Sequence, residues 1–184
     1  MQNYQHFVGG QASDLPLGKV VCVGRNYAAH AKELNNPIPT EPVLFIKPST
    51  ALVKLDEPLV IPTHLGECHF EVEMSILVGW PLRHCNQETA SAAIAGIGLA
   101  LDLTLRDLQQ ELKEKGLPWE KAKSFDGACP VSGFMPITQS ANLQNQQIVL
   151  RQNHKIKQID FEAVNITGGL NQIVDIDDPA DNQG

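Results

Sequence analysis

Short apolar runs bounded by glycine, proline and polar residues recur along the chain and predict a protein built mainly from short strands. The expected strands cover residues 19–24, 43–46, 59–61, 70–79, 98–103, 131–135 and 148–150. The expected helices cover residues 26–34, 90–97 and 105–115, and the last of them is amphipathic and ends near Gly116. Many strands with few helices indicate a mainly β α+β fold.

One predicted strand has an unusual polar face. In the segment 70–79, apolar residues alternate with Glu71, Glu73 and Ser75, so that both glutamates point to the same side. Two neighbouring carboxylates repel each other, and a bound divalent cation would remove that repulsion. The alternative is a hydrated pair on a solvent-facing strand. His69 shares this face as a ligand, as a partner of a ligand or as a surface histidine.

A third acidic residue, Asp102, lies within an apolar run, where an ionised carboxylate without a partner is costly. A metal ion would supply that partner, and three carboxylates suit Mg²⁺ or Mn²⁺ better than Zn²⁺. The alternative is a cap for the helix that follows. On a helix, Arg106 and Gln109 would share one face with Asp102 and could bind the oxygens of an anionic substrate. The alternative for that face is a solvated polar surface.

Two further candidates are cationic or basic groups. His30 and Glu33 are three residues apart on a predicted helix, where a carboxylate can orient an imidazole that acts as a general base. Lys123 could stabilise a substrate oxyanion. The alternatives are a surface helical pair for the first two residues and a solvated lysine for the third.

The amino-acid composition and net charge limit the kinds of molecule that this protein is expected to bind. The net charge of −7 argues against nucleic acid as the main partner, whereas a small anionic substrate needs only a local cluster of cations. No apolar run approaches the roughly 20 residues needed to span a bilayer, and residues 1–13 show no secretion signal. We therefore expect a cytoplasmic protein. Cys22, Cys68, Cys85 and Cys129 are far apart in sequence, which favours buried free thiols over a zinc cluster or a disulfide framework.

Together these stretches resemble the fumarylacetoacetate hydrolase family, in particular its small acylpyruvase-type members. Five separate blocks in the family's order make the resemblance highly specific, and it covers roughly residues 17–157. The matching blocks are Gly24–His30 with Glu33, Pro42–Thr50, Glu71–Glu73, Leu101–Gln109 and Gly116–Phe125.

The resemblance implies the family's mixed β-sandwich roll, assembled as a homodimer. It implies that Glu71, Glu73 and Asp102 hold Mg²⁺ or Mn²⁺. It also implies that His30 and Glu33 form a dyad that orients a water or shuttles a proton, on a segment that closes as a lid.

The remaining roles that the resemblance implies concern the substrate. Arg25, Arg106 and Gln109 match substrate-binding residues, and Lys123 matches a catalytic residue. The implied reaction is metal-dependent hydrolysis of a C–C bond in an acylpyruvate through a stabilised enolate. The same enolate chemistry would allow tautomerisation or decarboxylation of oxaloacetate, or isomerisation of 2-hydroxyhepta-2,4-diene-1,7-dioate, and the residues do not choose among these reactions.

The C-terminal part departs from the family pattern. We expect a lead-in over residues 1–16, a catalytic domain over 17–158 and a divergent tail over 159–184, so that the roll is incomplete at the C-terminus. The tail lacks the Thr-Gly-Thr-Pro-type loop of family members. The sequence therefore also allows a truncated and catalytically inactive relative.

Overall fold

Strands dominate the structure, a computed structural model that describes residues 4–24, 41–139, 146–162 and 172–176. The strands are β1 (Phe7–Val8), β2 (Gln11–Ala12), β3 (Val20–Gly24), β4 (Val43–Lys47), β5 (Leu52–Lys54), β6 (Cys68–Val78), β7 (Ile94–Leu105), β8 (Cys129–Val131), β9 (Met135–Pro136), β10 (Gln146–Gln152), β11 (Lys155–Glu162) and β12 (Gln172–Ile176). The α-helices within these residues are α1 (Gln87–Ala92), α2 (Arg106–Glu114) and α3 (Glu120–Lys123). This content is the mainly β α+β fold that the sequence predicts.

The strands pair into four sheets within the described residues. The pairs β1–β2 and β3–β4 are antiparallel, and β10 lies between antiparallel β11 and parallel β12. The largest sheet has the order β5-β8-β7-β6, with β9 also paired to β7. In it β5 and β8 are parallel, whereas β7 and β9 are antiparallel. The strands that carry the predicted acidic residues, β6 and β7, are therefore neighbours.

Contacts divide the chain into two compact units. The first contains residues 4, 16–24, 41–71 and 101–131, and the second contains residues 5–15, 72–100, 132–139, 146–162 and 172–176. The candidate site residues other than Glu73 that the structure describes belong to the first unit.

The core of the first unit forms around helix α2. Leu105, Leu108 and Leu112 recur at helical spacing and pack on one side with Ala122 and Trp119. The helix ends where Gly116 takes a φ of 63°, a left-handed conformation that costs glycine little. The amide of Leu117 then donates to the carbonyl of Leu112 at 2.9 Å. This packing fixes the polar side of α2.

The core of the second unit is centred on Ile97, which is fully buried among Met74, Ile94, Met135 and Ile137. Close approach of neighbouring backbone requires glycine beside it. A Cβ atom at position 96 would lie 2.8 Å from the carbonyl oxygen of Met135. The pairing of β9 with β7 is therefore possible only because Gly96 has no side chain.

Most predicted elements are confirmed, and three are wrong. The predicted strand 131–135 is divided, since β8 ends at Val131 and β9 begins at Met135. Segment 59–61 forms no strand, and β5 lies a few residues earlier. Helix α1 ends at Ala92, and residues from Ile94 onward already belong to β7, because pairing within the sheet overrides the helical tendency of the alanine-rich run. The predicted helix 26–34 lies outside the described residues.

No helix in the part of the chain that the structure describes combines the length and the apolar character needed to cross a membrane.

Candidate active site

Asp102 is a buried carboxylate held between two lysines. It lies on β7, whose residues 96–105 are all buried, and only 7% of Asp102 is exposed. The ammonium of Lys123 donates a hydrogen bond to Oδ2, and the ammonium of Lys47 lies 3.0 Å from Oδ1. The two cations offset the cost of burying the carboxylate charge.

Lys47 reaches Asp102 from the end of strand β4. On this strand Val43, Phe45 and Lys47 alternate with the exposed residues Leu44 and Ile46, so the lysine points inward. The Lys47 ammonium donates to the carbonyl oxygens of Leu103 at 3.2 Å, Ala128 at 2.9 Å and Lys123. Three carbonyls thus use the three hydrogens of this ammonium.

The contact between Lys47 and Asp102 is therefore an ion pair without a hydrogen bond. Oδ1 of Asp102 is buried and accepts no hydrogen bond from the described residues. Its lone pairs remain available to a further donor or to a cation.

Lys123 is placed by the short helix α3. Its ammonium lies 5.0 Å from the ring centroid of Phe45, and the rings of Phe45 and Trp119 lie 6.2 Å apart. The hydroxyl of Ser124 donates to the carbonyl of Ile46 at 2.8 Å, which ties the end of α3 to β4. Lys123 is thus held over an aromatic face with its charge turned to Asp102.

Arg106, the first residue of α2, binds two residues of strand β6 and one of its own helix. Its Nη2 donates to Oε1 of Glu71 at 2.7 Å, and its Nη1 donates to Oε1 of Gln109 at 3.0 Å. Its Nε donates to Nδ1 of His69 at 3.3 Å. Nε2 of His69 lies 3.1 Å from Oε1 of Glu67. His69 therefore links Arg106 to Glu67, a role that the sequence alone does not predict.

The charges of Asp102, Lys47 and Lys123 affect the pKa of the Cys22 thiol. Burial raises the pKa of Cys22 to about 12, with the charge of Asp102 acting in the same direction and the two lysines opposing it. Burial likewise raises the pKa of Cys129 to about 11. Both thiols are therefore protonated at neutral pH. All four cysteines are free, as predicted, but only Cys129 is buried, whereas Cys22 and Cys68 are half-buried and Cys85 is exposed.

The structure places several predicted site residues and corrects one expectation. Glu71 and Glu73 lie on β6 as predicted, and Arg106 contacts Gln109 on one helical face. Asp102 is not on that helical face and does not cap α2, because β7 continues to Leu105 and the helix begins at Arg106. Arg25, His30 and Glu33 lie outside the described residues, so their roles remain predictions.

The predicted metal ligands have other partners in this structure. Among the described residues, no three His, Cys, Asp or Glu side chains are grouped to hold a metal ion. Glu71 binds Arg106 and Asp102 binds two lysines. The assignment of Glu71, Glu73 and Asp102 as ligands remains a prediction from the resemblance.

Sequence reasoning missed Lys47 as a site residue. A signal was present, because a lysine closes the apolar run Val43–Ile46 at a position that alternation turns inward. A lysine at an inward position of a buried strand requires an acidic or carbonyl partner.

Comparisons of the sequence with known proteins identify relatives of this chain. Residues 19–175 match the family model described as fumarylacetoacetate (FAA) hydrolase C-terminal. The chain is 51% identical over 157 residues to oxaloacetate tautomerase YcgM of Escherichia coli, covering 84% of this chain and 72% of that protein. It is 42% identical over 139 residues to the mitochondrial oxaloacetate tautomerase FAHD1 of Bos taurus, of which it spans only 63%.

Solved structures share the fold. A fumarylacetoacetate hydrolase family protein of Yersinia pestis matches with a TM-score of 0.80 and 46% identity, over 86% of this chain and 73% of that chain. Fumarylpyruvate hydrolase of Pseudomonas aeruginosa, solved with Mn²⁺ and pyruvate, matches with a TM-score of 0.72 and 31% identity, over 87% and 71% of the two chains. The fold is that of these proteins, and the chain belongs to the fumarylacetoacetate hydrolase family.

Proposed function

We propose that this chain is a divalent-metal-dependent enzyme that interconverts the keto and enol forms of oxaloacetate. The observation that carries the proposal is the cluster of buried or half-buried cations around Asp102 and Glu71, carried by a chain half identical to an oxaloacetate tautomerase. The family resemblance alone favours acylpyruvate hydrolysis, but the curated relatives support the oxaloacetate alternative better. We therefore reverse the order of the two reactions.

Arg106 suits a substrate that carries a carboxylate. Arg106 presents a planar guanidinium that can form two parallel hydrogen bonds to a carboxylate. The half-exposed position of its pair with Glu71, whose side chains are 33% and 28% exposed, leaves Arg106 open to an incoming anion. The Gln109 side chain, held by Arg106, would present its amide hydrogens to a neighbouring oxygen.

The tautomerisation requires one proton to leave C3 and one to reach the oxygen on C2. Lys123, whose ammonium donates to Asp102, would turn a hydrogen toward the C2 oxygen and stabilise its developing negative charge. We assign removal of the C3 proton to His30, with Glu33 orienting its imidazole. These two residues lie outside the described residues, and their assignment rests on the family resemblance.

The predicted ligands have the chemistry that a hard divalent cation prefers. Oδ1 of Asp102 is a buried acceptor without a hydrogen bond from the described residues, and carboxylate oxygens are the preferred ligands of Mg²⁺ and Mn²⁺. Glu71, Glu73 and Asp102 would hold the ion, with Arg106 released from Glu71. The bound ion would supply Lewis-acid polarisation of the 2-oxo group.

The test is an assay of oxaloacetate with and without metal. An enol-enriched oxaloacetate stock is diluted into buffer, and the loss of enol absorbance in the ultraviolet is followed with added Mg²⁺, Mn²⁺ or a chelator. We expect the protein with metal to accelerate this loss well beyond the buffer rate, and chelation to abolish the acceleration. An acceleration that survives exhaustive chelation would remove the metal from the mechanism, and no acceleration with either metal would contradict the proposed substrate.

A second candidate function is hydrolysis of the C–C bond of an acylpyruvate. It is supported by the likeness to fumarylpyruvate hydrolase of Pseudomonas aeruginosa. Incubation with acetylpyruvate separates the two reactions, since only the hydrolase releases acetate and pyruvate. A catalytically inactive relative would accelerate neither reaction, and calorimetry would detect no tight binding of oxalate with Mg²⁺.

Replacement of Arg106 by leucine should weaken the enzyme without unfolding it. The pair with Glu71 is part exposed, so its loss should cost about 1 kcal/mol or less of stability. Loss of a two-bond carboxylate contact should lower kcat/KM about 100-fold. Steady-state kinetics and denaturant unfolding measure the two effects.

The matched control for this variant is Arg83→Leu, which removes an exposed arginine and should change neither quantity. Wild-type kcat/KM in Arg106→Leu would contradict the assignment of Arg106 to substrate binding.

We also propose that the protein forms a homodimer, as the family resemblance implies. Its mass in solution, measured by light scattering during size-exclusion chromatography, tests this.

A further inference from the structure

Lys47 is the most deeply buried charged side chain among the described residues. Its side chain has 0% exposure, compared with 5% for Lys123 and 9% for Asp102. Burial of a lysine is costly unless its charge and its hydrogens are satisfied. Each of its contacts is therefore informative about what it does.

The hydrogens of the Lys47 ammonium are already used. They are donated to the carbonyls of Leu103, Lys123 and Ala128, which lie at the end of β7, at the end of α3 and just before β8. A lysine has three hydrogens and no acceptor. Lys47 therefore has none left for a substrate oxygen, unlike Lys123, whose ammonium is turned to Asp102.

The same contacts fix the two groups that the proposed reaction needs. Lys47 binds the backbone carbonyl of Lys123 and so sets the position from which that side chain extends. Its charge lies 3.0 Å from Oδ1 of Asp102, whereas Lys123 binds Oδ2. One cation at each oxygen fixes the plane of the carboxylate.

The ion pair also leaves Oδ1 unoccupied as a hydrogen-bond acceptor. A lysine that donated to Oδ1 would compete with any cation for the lone pairs of that oxygen. Because the hydrogens of Lys47 go to carbonyls, its charge orients Asp102 while Oδ1 accepts no hydrogen bond from it.

We propose that Lys47 is a positioning residue that holds Asp102 and Lys123 in their reactive arrangement while taking no part in substrate binding. The kinetic test of this inference rests on the proposed function. The spectroscopic test rests on the structure alone.

The experiment compares Lys47→Met with Lys54→Met. Methionine fills the volume of the lysine stem but removes the charge and the donors. Lys54 lies on β5, pairs with Glu57 at 2.9 Å and is partly exposed, so its replacement controls for the loss of one lysine. Lys47→Gln, which keeps amide hydrogens for the carbonyls, provides a second variant in case the methionine variant does not fold.

The kinetic expectation separates positioning from binding. Displacement of the reactive groups should lower kcat about 100-fold in Lys47→Met, since misplacement by a fraction of an ångström to an ångström has effects of this order. KM should change far less than kcat, because no hydrogen of Lys47 contacts substrate. Lys54→Met should keep wild-type values.

The spectroscopic expectation does not require an active enzyme. The buried ammonium of Lys123 should give a nitrogen-15 NMR signal, identified by its absence in Lys123→Met. That signal should move or broaden in the Lys47 variants and stay unchanged in Lys54→Met.

An unchanged Lys123 signal in folded Lys47→Met would overturn the inference, as would a wild-type kcat in that variant. The wild-type protein could also lack activity toward oxaloacetate. If the Lys123 signal still moved in the Lys47 variants, the result would support the role of Lys47 and contradict the proposed function. The failure of the one idea is therefore distinguishable from the failure of the other.

Discussion

Replacing Asp102 by alanine is expected to abolish divalent-metal binding and to destabilise the protein by about 3–5 kcal/mol, the cost of removing one partner from a buried ion pair. Asp102 offsets the charges of Lys47 and Lys123, whose side chains are 0% and 5% exposed. Without it two cations would face each other in the interior. Denaturant unfolding of the metal-free protein and calorimetric titration with Mn²⁺ measure the two losses.

Two companion variants make the Asp102 result interpretable. Asp56→Ala removes an exposed carboxylate and should preserve both stability and metal affinity. Asp102→Asn keeps the shape of the side chain and removes its charge, so it should bind metal as weakly as the alanine variant. Equal Mn²⁺ affinity in the wild type and in either Asp102 variant would be fatal to the assignment of this residue as a ligand.

Replacing Lys123 by methionine is expected to lower kcat for oxaloacetate about 100- to 1,000-fold, the usual cost of losing one donor to a developing oxyanion. Lys123 carries the cation that the proposed mechanism directs at the C2 oxygen. Stability should fall less than in Asp102→Ala, because Asp102 keeps its ion pair with Lys47. Steady-state assays with enol-enriched oxaloacetate measure kcat.

The control for Lys123 lies on the same helix. Lys121 is exposed, and Lys121→Met should retain the wild-type kcat. If Lys123→Met also retained it, Lys123 would be only the counter-ion of Asp102, and the oxyanion would need another partner.

Local patterns predicted the parts of the site that depend on neighbours in sequence. The spacing of Arg106 and Gln109 indicated a shared helical face, and the alternation around Glu71 indicated a strand, since both periods are properties of the backbone. The resemblance identified the family, and the family predicted the mixed β-sandwich roll. The ligand roles and the dyad of His30 and Glu33 stay predictions.

What the patterns could not predict depends on residues far apart in the chain. The predicted strand 98–103 already contained Asp102, but its helical spacing from Arg106 and Gln109 wrongly suggested a shared face, because sheet pairing extends β7 to Leu105. Lys47 follows an apolar run, and no residue near it in sequence indicates which groups it binds. Burial of the site polar groups is decided by packing, which local periodicity does not encode.

The carbonyls that bind Lys47 lie 56 and 81 residues further along the chain at Leu103 and Ala128. Closing loops of this length costs chain entropy before any contact forms. The lysine must also shed its hydration shell, which is unfavourable until every acceptor has arrived. Burial of this ammonium should therefore be a late event in refolding, completed only when Leu103 and Ala128 have reached β4.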